Sequence, residues 1–154
     1  MLDQMATITV EEDFPHKPAL MWRALTEGAL MARWMMPPQG FAAVEGQEFT
    51  FHTKPAGLWD GTIRCRVLRV LPGERLVYSW EGGDDGNVGY GSRLSTTVTM
   101  TLTPTATGTR LKVEHAGFEL PRNAFAHENM SKGWVTLMPR LNEAARDADA
   151  VPHA

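Results

Sequence analysis

Cysteine is nearly missing from this chain: Cys65 is the only one in 154 residues. A lone cysteine excludes an intramolecular disulfide and any cysteine-built metal site. A dominant charge is missing too, because 15 lysines and arginines meet 18 aspartates and glutamates for a net charge of −3. With no basic cluster, neither nucleic acid nor an anionic membrane is expected as a partner. No apolar run approaches the roughly 18 residues of a membrane span. The opening MLDQMATITV lacks the basic start and apolar core of a secretory leader. These absences make a cytoplasmic location the expectation. Metal-ligand spacing is also lacking. His16, His52, His115, His127 and His153 form no H-x-x-x-H or H-E-x-x-H pair, so no metal and no cofactor are expected.

What the chain does have is a globular balance, 43% hydrophobic and 21% charged. Its length favours a single domain over 1–154 with its core in about 6–147. A chain this long buries roughly 70% of its unfolded surface, enough to fold without covalent staples. Alternation of Ile8 and Val10 with Thr7, Thr9 and Glu11 predicts a first strand over about 6–13. Pro15 and Pro18 close it, and Pro18 suits the first turn of a helix carrying Trp22 and Leu25 on one face. A second short helix carries Leu30, Met31, Trp34 and Met35, and Met36-Pro37-Pro38 stops it.

Strand and turn signals then dominate. Phe41 to Val44 and Glu48 to Thr53 read as a hairpin about Glu45-Gly46. A long strand is expected from Trp59 to Leu71. Another follows from Arg75 to Trp80, with Leu76, Tyr78 and Trp80 on one face. Residues 92–103 alternate most cleanly, with Leu94, Val98, Met100 and Leu102 opposite Ser95, Thr97, Thr99, Thr101 and Thr103. After a turn at Thr107-Gly108, the last strand puts Leu111, Val113 and His115 together. Met130, Trp134, Leu137, Leu141 and Ala144 make the apolar stripe of a final helix, with a kink expected at Pro139 and a frayed tail over 148–154. The order is β-α-α-β6-α, an α+β fold of about seven antiparallel strands. One apolar sheet face needs a cover, which a long amphipathic helix supplies. A curved sheet gripping a helix leaves space, so inward aromatic and methionine side chains are candidates for a pocket wall.

Several stretches resemble one family in unbroken order over about 7–146. They are PALMWRAL at 18–25 with Leu30 and Arg33-Trp34, GQEFTF at 46–51, GTIRCRV at 61–67 and RLVYSW at 75–80. GTRL at 108–111, VEHAGF at 113–118 and Gly133-Trp134 with Leu137 and Leu141 complete the series. The chain is similar to homologues of the heat-shock-protein-90 ATPase activator, within the START/Bet v 1-like (SRPBCC) superfamily. That resemblance implies a helix-grip fold with a cavity between the sheet and the C-terminal helix. It also implies a hydrophobic ligand, lipid-like or aromatic and polyketide-like. Pro139 departs from the pattern by interrupting the gripping helix, which could reshape the cavity mouth. The larger co-chaperone behind the family name has an additional N-terminal domain, so its activity does not transfer with the fold.

For chemistry, His115 stands out on an apolar face. It reads either as a buried histidine satisfied by one partner, or as a ligand anchor or general acid/base tuned by burial. Tyr78 is the second candidate, about 10 Å from it if one strand lies between, with Thr96 between them. His16, His52, His127 and His153 read as solvated. Cys65 points inward as a structural thiol, no G-x-S-x-G elbow exists, and Glu11, Glu12, Asp13, Asp84 and Asp85 read as solvated. EGGDDGNVGYGS at 81–92 is either a flexible hairpin or a mobile flap closed by Tyr90. Trp22 is expected in the core, and Trp34, Met35 and Met36 at the cavity rim, where methionine suits an adaptable wall.

The candidate ligand-binding set is therefore Trp34, Met36, Phe41, Phe51, Trp59, Tyr78, Trp80, Thr96, Met100, His115, Trp134 and Met138. Three functions compete: a non-enzymatic binder of a hydrophobic small molecule, a cyclase- or hydrolase-type enzyme using His115 and Tyr78, and a protein-interaction module. The last is either a homodimer or a chaperone partner, and an exposed Trp or Met patch would favour it.

Overall fold

The computed structural model describes residues 4–150. Six strands form one antiparallel sheet: β1 (Gln4–Phe14), β2 (Glu48–His52), β3 (Thr62–Leu71), β4 (Arg75–Gly82), β5 (Leu94–Thr105) and β6 (Gly108–Leu120). Their order across the sheet is β1-β6-β5-β4-β3-β2. Helices α1 (Pro18–Thr26) and α2 (Gly28–Met31) follow β1, and the long α3 (Ala124–Asp147) follows β6.

The expected seventh strand is not formed. Residues 41–44 are irregular and bent, not extended in a ladder, and their side of β2 carries only a single bridge between Gln39 and Thr50. Pro37 and Pro38, just before, have no N–H to extend a ladder. The Glu45-Gly46 turn instead docks on β3, with Gly46 N–H donating to the Val67 carbonyl and Val67 N–H to the Gln47 carbonyl. Trp59 also precedes its predicted strand. It closes a tight turn with Ala56, each residue's N–H donating to the other's carbonyl.

The sheet bends at two register breaks. Between β1 and β6 the partners step from Ala6 with Phe118 to Thr7 with Ala116, leaving Gly117 unpaired. Its φ of +104° suits glycine, and a Cβ there would stand 3.1 Å from the Ser95 carbonyl oxygen. The second break lies between Val67 and Arg69 on β3. Ile63, Cys65 and Val67 point inward before it, and Leu68 and Arg69 are both exposed.

The concave face holds the core. Leu76, Tyr78, Val98, Met100, Leu102, Leu111 and Val113 are buried there beneath Met21, Ala24 and Leu25 of α1. From α3 come Trp134, Met138, Leu141, Ala144 and Ala145. Two tryptophans differ from their expected roles. Trp34 is buried core, its indole N–H donating to the Ala24 carbonyl at 2.9 Å, while Trp22 is half-buried. Helix α3 continues through Pro139. That proline is exposed, and Val135, whose carbonyl loses its helical partner, is 59% exposed, so water can satisfy it. Residues 148–150 form a 3₁₀ turn rather than a frayed end. Ala148 is buried there and its carbonyl accepts from the Arg23 guanidinium. The rest of that predicted tail, with His153, lies outside the described residues.

Candidate functional site

Alternation decides which face of a strand points inward but not which end of the sheet stays open. Helix α1 covers the inner face beside β5 and β6, α2 packs on α1, and both helices pack against α3. What remains open is bounded by the start of β3, the end of β4, the start of β5 and the first half of α3. A cavity of about 210 Å³ lies here. It exceeds the roughly 150 Å³ that holds benzene and is smaller than the roughly 300–1,000 Å³ pockets of drug-sized ligands.

Its wall is aromatic and pliable. Trp59, Trp80, Trp134, Tyr90 and Phe125 line it with Met35, Met36, Met130, Ile63, Leu94 and Leu137. Polar lining comes from Thr53, Ser92 and Asn129, and among the described residues no carboxylate, ammonium, guanidinium or imidazole group lines it. Gly82, Gly83, Gly91 and Gly133 bring bare backbone to the space. At Gly83, with φ +81°, a Cβ would fall 2.2 Å from the Ser92 carbonyl oxygen, so β4 can leave the sheet here only as glycine.

The glycine-rich segment is tied down as a rim. Asp84 N–H donates to the Gly91 carbonyl, and the Asn87 amide donates to Ala56 and Gly91 carbonyls at 2.7 and 3.1 Å. Tyr90 hydroxyl donates to the Lys54 carbonyl at 2.7 Å. Its ring stands 6.0 Å from Trp59 and 6.4 Å from Phe125. Tyr90 thus sits at the mouth, held by hydrogen bonds from its own loop to the 54–59 loop.

Of the twelve candidates, Met36, Trp59, Trp80 and Trp134 line the cavity. Trp34, Phe41, Phe51, Tyr78, Thr96, Met100, His115 and Met138 do not. Phe51 packs behind Trp80 with ring centres 5.6 Å apart, and Phe41 reaches Phe51 only through Phe49. Met100 and Met138 are buried at the end plugged by the helices.

The polar trio is only partly assembled. Tyr78, Val98 and His115 stand in one row across β4, β5 and β6, so β5 separates the two candidates as anticipated. Tyr78 packs edge-on against Phe49 at 5.4 Å. Among the described residues its hydroxyl is the one buried side-chain polar atom without a partner. Burial holds this phenol well above its ordinary pKa, so it stays neutral.

His115, in contrast, is fully committed. Trp134 indole can only donate, so Nδ1 of His115 accepts from it at 3.1 Å. The proton then sits on Nε2 and is donated to Thr96 Oγ1 at 2.8 Å, and Thr96 passes its own proton to the Trp80 carbonyl at 2.8 Å. Burial drives the imidazole pKa down to about 3. Neither ring nitrogen remains for a substrate. The chain of bonds instead anchors Trp134 and the backbone of Trp80, two walls of the cavity.

Other side chains also differ from expectation. His16 is half-buried and donates to Asn142 Oδ1 at 2.7 Å, and His127 packs on Phe118 at 5.4 Å, whereas His52 is exposed. Cys65 is buried, its thiol raised to about 12 chiefly by burial. Sequence reasoning missed Ser92, Phe125, Asn129 and Met130. Phe125 and Asn129 lie one turn apart on α3, a face the apolar stripe through Met130 and Trp134 only borders.

An antiparallel sheet wrapped against a long C-terminal helix, with a cavity between them, defines a helix-grip protein of the START-like class. The chain belongs within that class to the Activator of Hsp90 ATPase homolog 1-like family, whose profile matches residues 15–146. Protein MLL2253 from Mesorhizobium loti is 33% identical, with 90% of this chain and 96% of that one covered at a TM-score of 0.77. The fold is shared with Bacillus halodurans protein BH1534, at 22% identity, 94% and 99% coverage and a TM-score of 0.73. It is shared too with DynU16 of the dynemicin biosynthetic locus, at 24% identity and a TM-score of 0.67 over 93% of this chain and 47% of that one. A comparison with curated proteins gives no match.

Proposed function

We propose that the protein binds a hydrophobic small molecule in the cavity between its sheet and α3, as a carrier or receptor rather than an enzyme. The observation that carries this reading is the cavity wall: three tryptophans, Tyr90 and Phe125 around about 210 Å³ that no core side chain fills. An aromatic or lipid-like molecule suits such a wall, because burial of its apolar surface supplies affinity at roughly 25 cal/mol per Å². Catalysis through His115 and Tyr78 finds no support in the geometry, since neither lines the cavity and both His115 nitrogens are bonded. A chaperone or dimer surface finds little. Among the described residues Met5 is the exposed methionine, and no tryptophan is among the exposed large apolar side chains.

Native mass spectrometry of freshly purified protein, set against the same sample denatured, tests the reading. A mass excess confined to the native spectrum is expected, and it gives the ligand's size. A clean dimer without added mass would favour the interaction reading instead.

A further inference from the structure

Ser92 is 2% exposed and lies on the cavity wall. Its partner is Asn123, equally buried at 1%. Asn123 Oδ1 accepts the Glu119 N–H at 3.0 Å, which turns its NH₂ toward the Arg93 carbonyl at 2.8 Å and Ser92 Oγ at 3.3 Å. Ser92 Oγ is therefore an acceptor in this contact. Its own O–H proton meets no protein acceptor among the described residues. A buried hydroxyl with an unspent proton costs stability unless something accepts it. Among the other polar side chains of the wall, Trp59, Tyr90 and Trp134 already donate to protein acceptors, and Thr53 and Asn129 are exposed and can turn to water.

Charge is the second half of the observation. Among the described residues no ionised side chain lines the cavity, so an ion entering it would lose its hydration without gaining a counter-charge. We propose that Ser92 is the polar anchor of this site, donating to an acceptor oxygen, such as a ketone or ether, on an uncharged ring-bearing ligand. Asn123 positions that donor. The proposal rests on the cavity being a binding site and adds which ligands it selects.

Three naphthalenes of similar size test it by calorimetry or tryptophan quenching: 2-acetylnaphthalene, 2-ethylnaphthalene and the anion 2-naphthoate. Ser92→Ala keeps the Asn123 bond to the Arg93 carbonyl and is expected to fold. The variant should weaken 2-acetylnaphthalene about five- to tenfold and leave 2-ethylnaphthalene within about twofold. In the unaltered protein 2-naphthoate should bind at least about a hundredfold more weakly than 2-acetylnaphthalene. That comparison decides the charge argument even if the variant does not fold. Equal loss for both neutral compounds overturns the role of Ser92, and 2-naphthoate within about tenfold overturns the selection against charge. Both failures leave the binding reading standing. If neither neutral compound binds the unaltered protein, the binding reading falls and this inference falls with it.

Discussion

His115→Gln separates the structural account of the histidine from the catalytic one. Glutamine can accept from Trp134 and donate to Thr96 as the imidazole does, but it cannot take a proton. In the unfolded chain the imidazole protonates near pH 6.5, and in the folded chain burial holds its value at about 3. Between those values the unfolded state carries the extra proton, so stability falls as the pH falls through that window. The contribution is whole above about pH 6.5. Down to pH 4.5 the loss is two pH units at about 1.36 kcal/mol each, or about 2.7 kcal/mol. Below about pH 3 both states are protonated and the slope ends. Carboxylates held low by arginines, such as Asp13 and Asp147, lose their contributions in more acid solution. They are common to both proteins and cancel in the difference. Urea denaturation of the two proteins at about pH 7 and 4.5 reads the effect. The unaltered protein should lose about 2.7 kcal/mol more than His115→Gln between those conditions. Equal losses would mean that His115 titrates normally in the fold, and the reasoning from its closed hydrogen-bond chain would be wrong.

Three further outcomes follow from packing. Trp34→Ala should cost about 3–5 kcal/mol in urea denaturation, and Trp22→Ala distinctly less, because only Trp34 is buried and bonded to the Ala24 carbonyl; equal costs would restore Trp22 to the core. Gly117→Ala should cost about 1–3 kcal/mol, since it combines a positive φ with a Cβ tight against Ser95; a neutral result would remove the bulge as a determinant of curvature. Cys65 should resist a thiol reagent at about pH 8 in the native state and react once unfolded, its pKa being raised to about 12; fast native labelling would contradict its burial.

Much of the fold is legible where side-chain period and turn residues agree. The run from Leu94 to Leu102 alternates with Thr96 as the one polar residue on its inner face, and each of its apolar members is buried on β5. Met130 through Ala144 likewise repeats at helical spacing, and that spacing survives Pro139 because the proline falls on the solvent side. Where local signals mislead, distant partners decide. Phe41 to Val44 has the composition of a strand, but β2 offers it only one bridge, at Gln39. The candidate site suffers most from this. Inward parity places Tyr78, Met100 and Trp80 together, yet only Trp80 reaches the open end, because α1 and α2 plug the rest. Whether His115 meets ligand or scaffold depends on Trp134 and Thr96, each 19 positions away in the chain. No local pattern encodes that choice. Ser92 was hidden for the opposite reason, sitting at the end of a glycine-rich stretch that reads as loop.

The central claim, a ligand cavity between sheet and α3, is tested most directly at Gly133. This residue lines the cavity, and apart from its chain neighbours and its own helix backbone no atom lies within 4 Å of where its Cβ would stand. Gly133→Leu thus puts a side chain into open space, and it should raise stability by up to about 0.8 kcal/mol through helix propensity alone. Equilibrium titration with the neutral fluorophore N-phenyl-1-naphthylamine compares the two proteins, each first checked for a cooperative unfolding transition. Saturable one-to-one binding by the unaltered protein, weakened at least about tenfold by Gly133→Leu, is the predicted result. Equal affinity in both, or no binding by the unaltered protein, would contradict a binding site in this cavity.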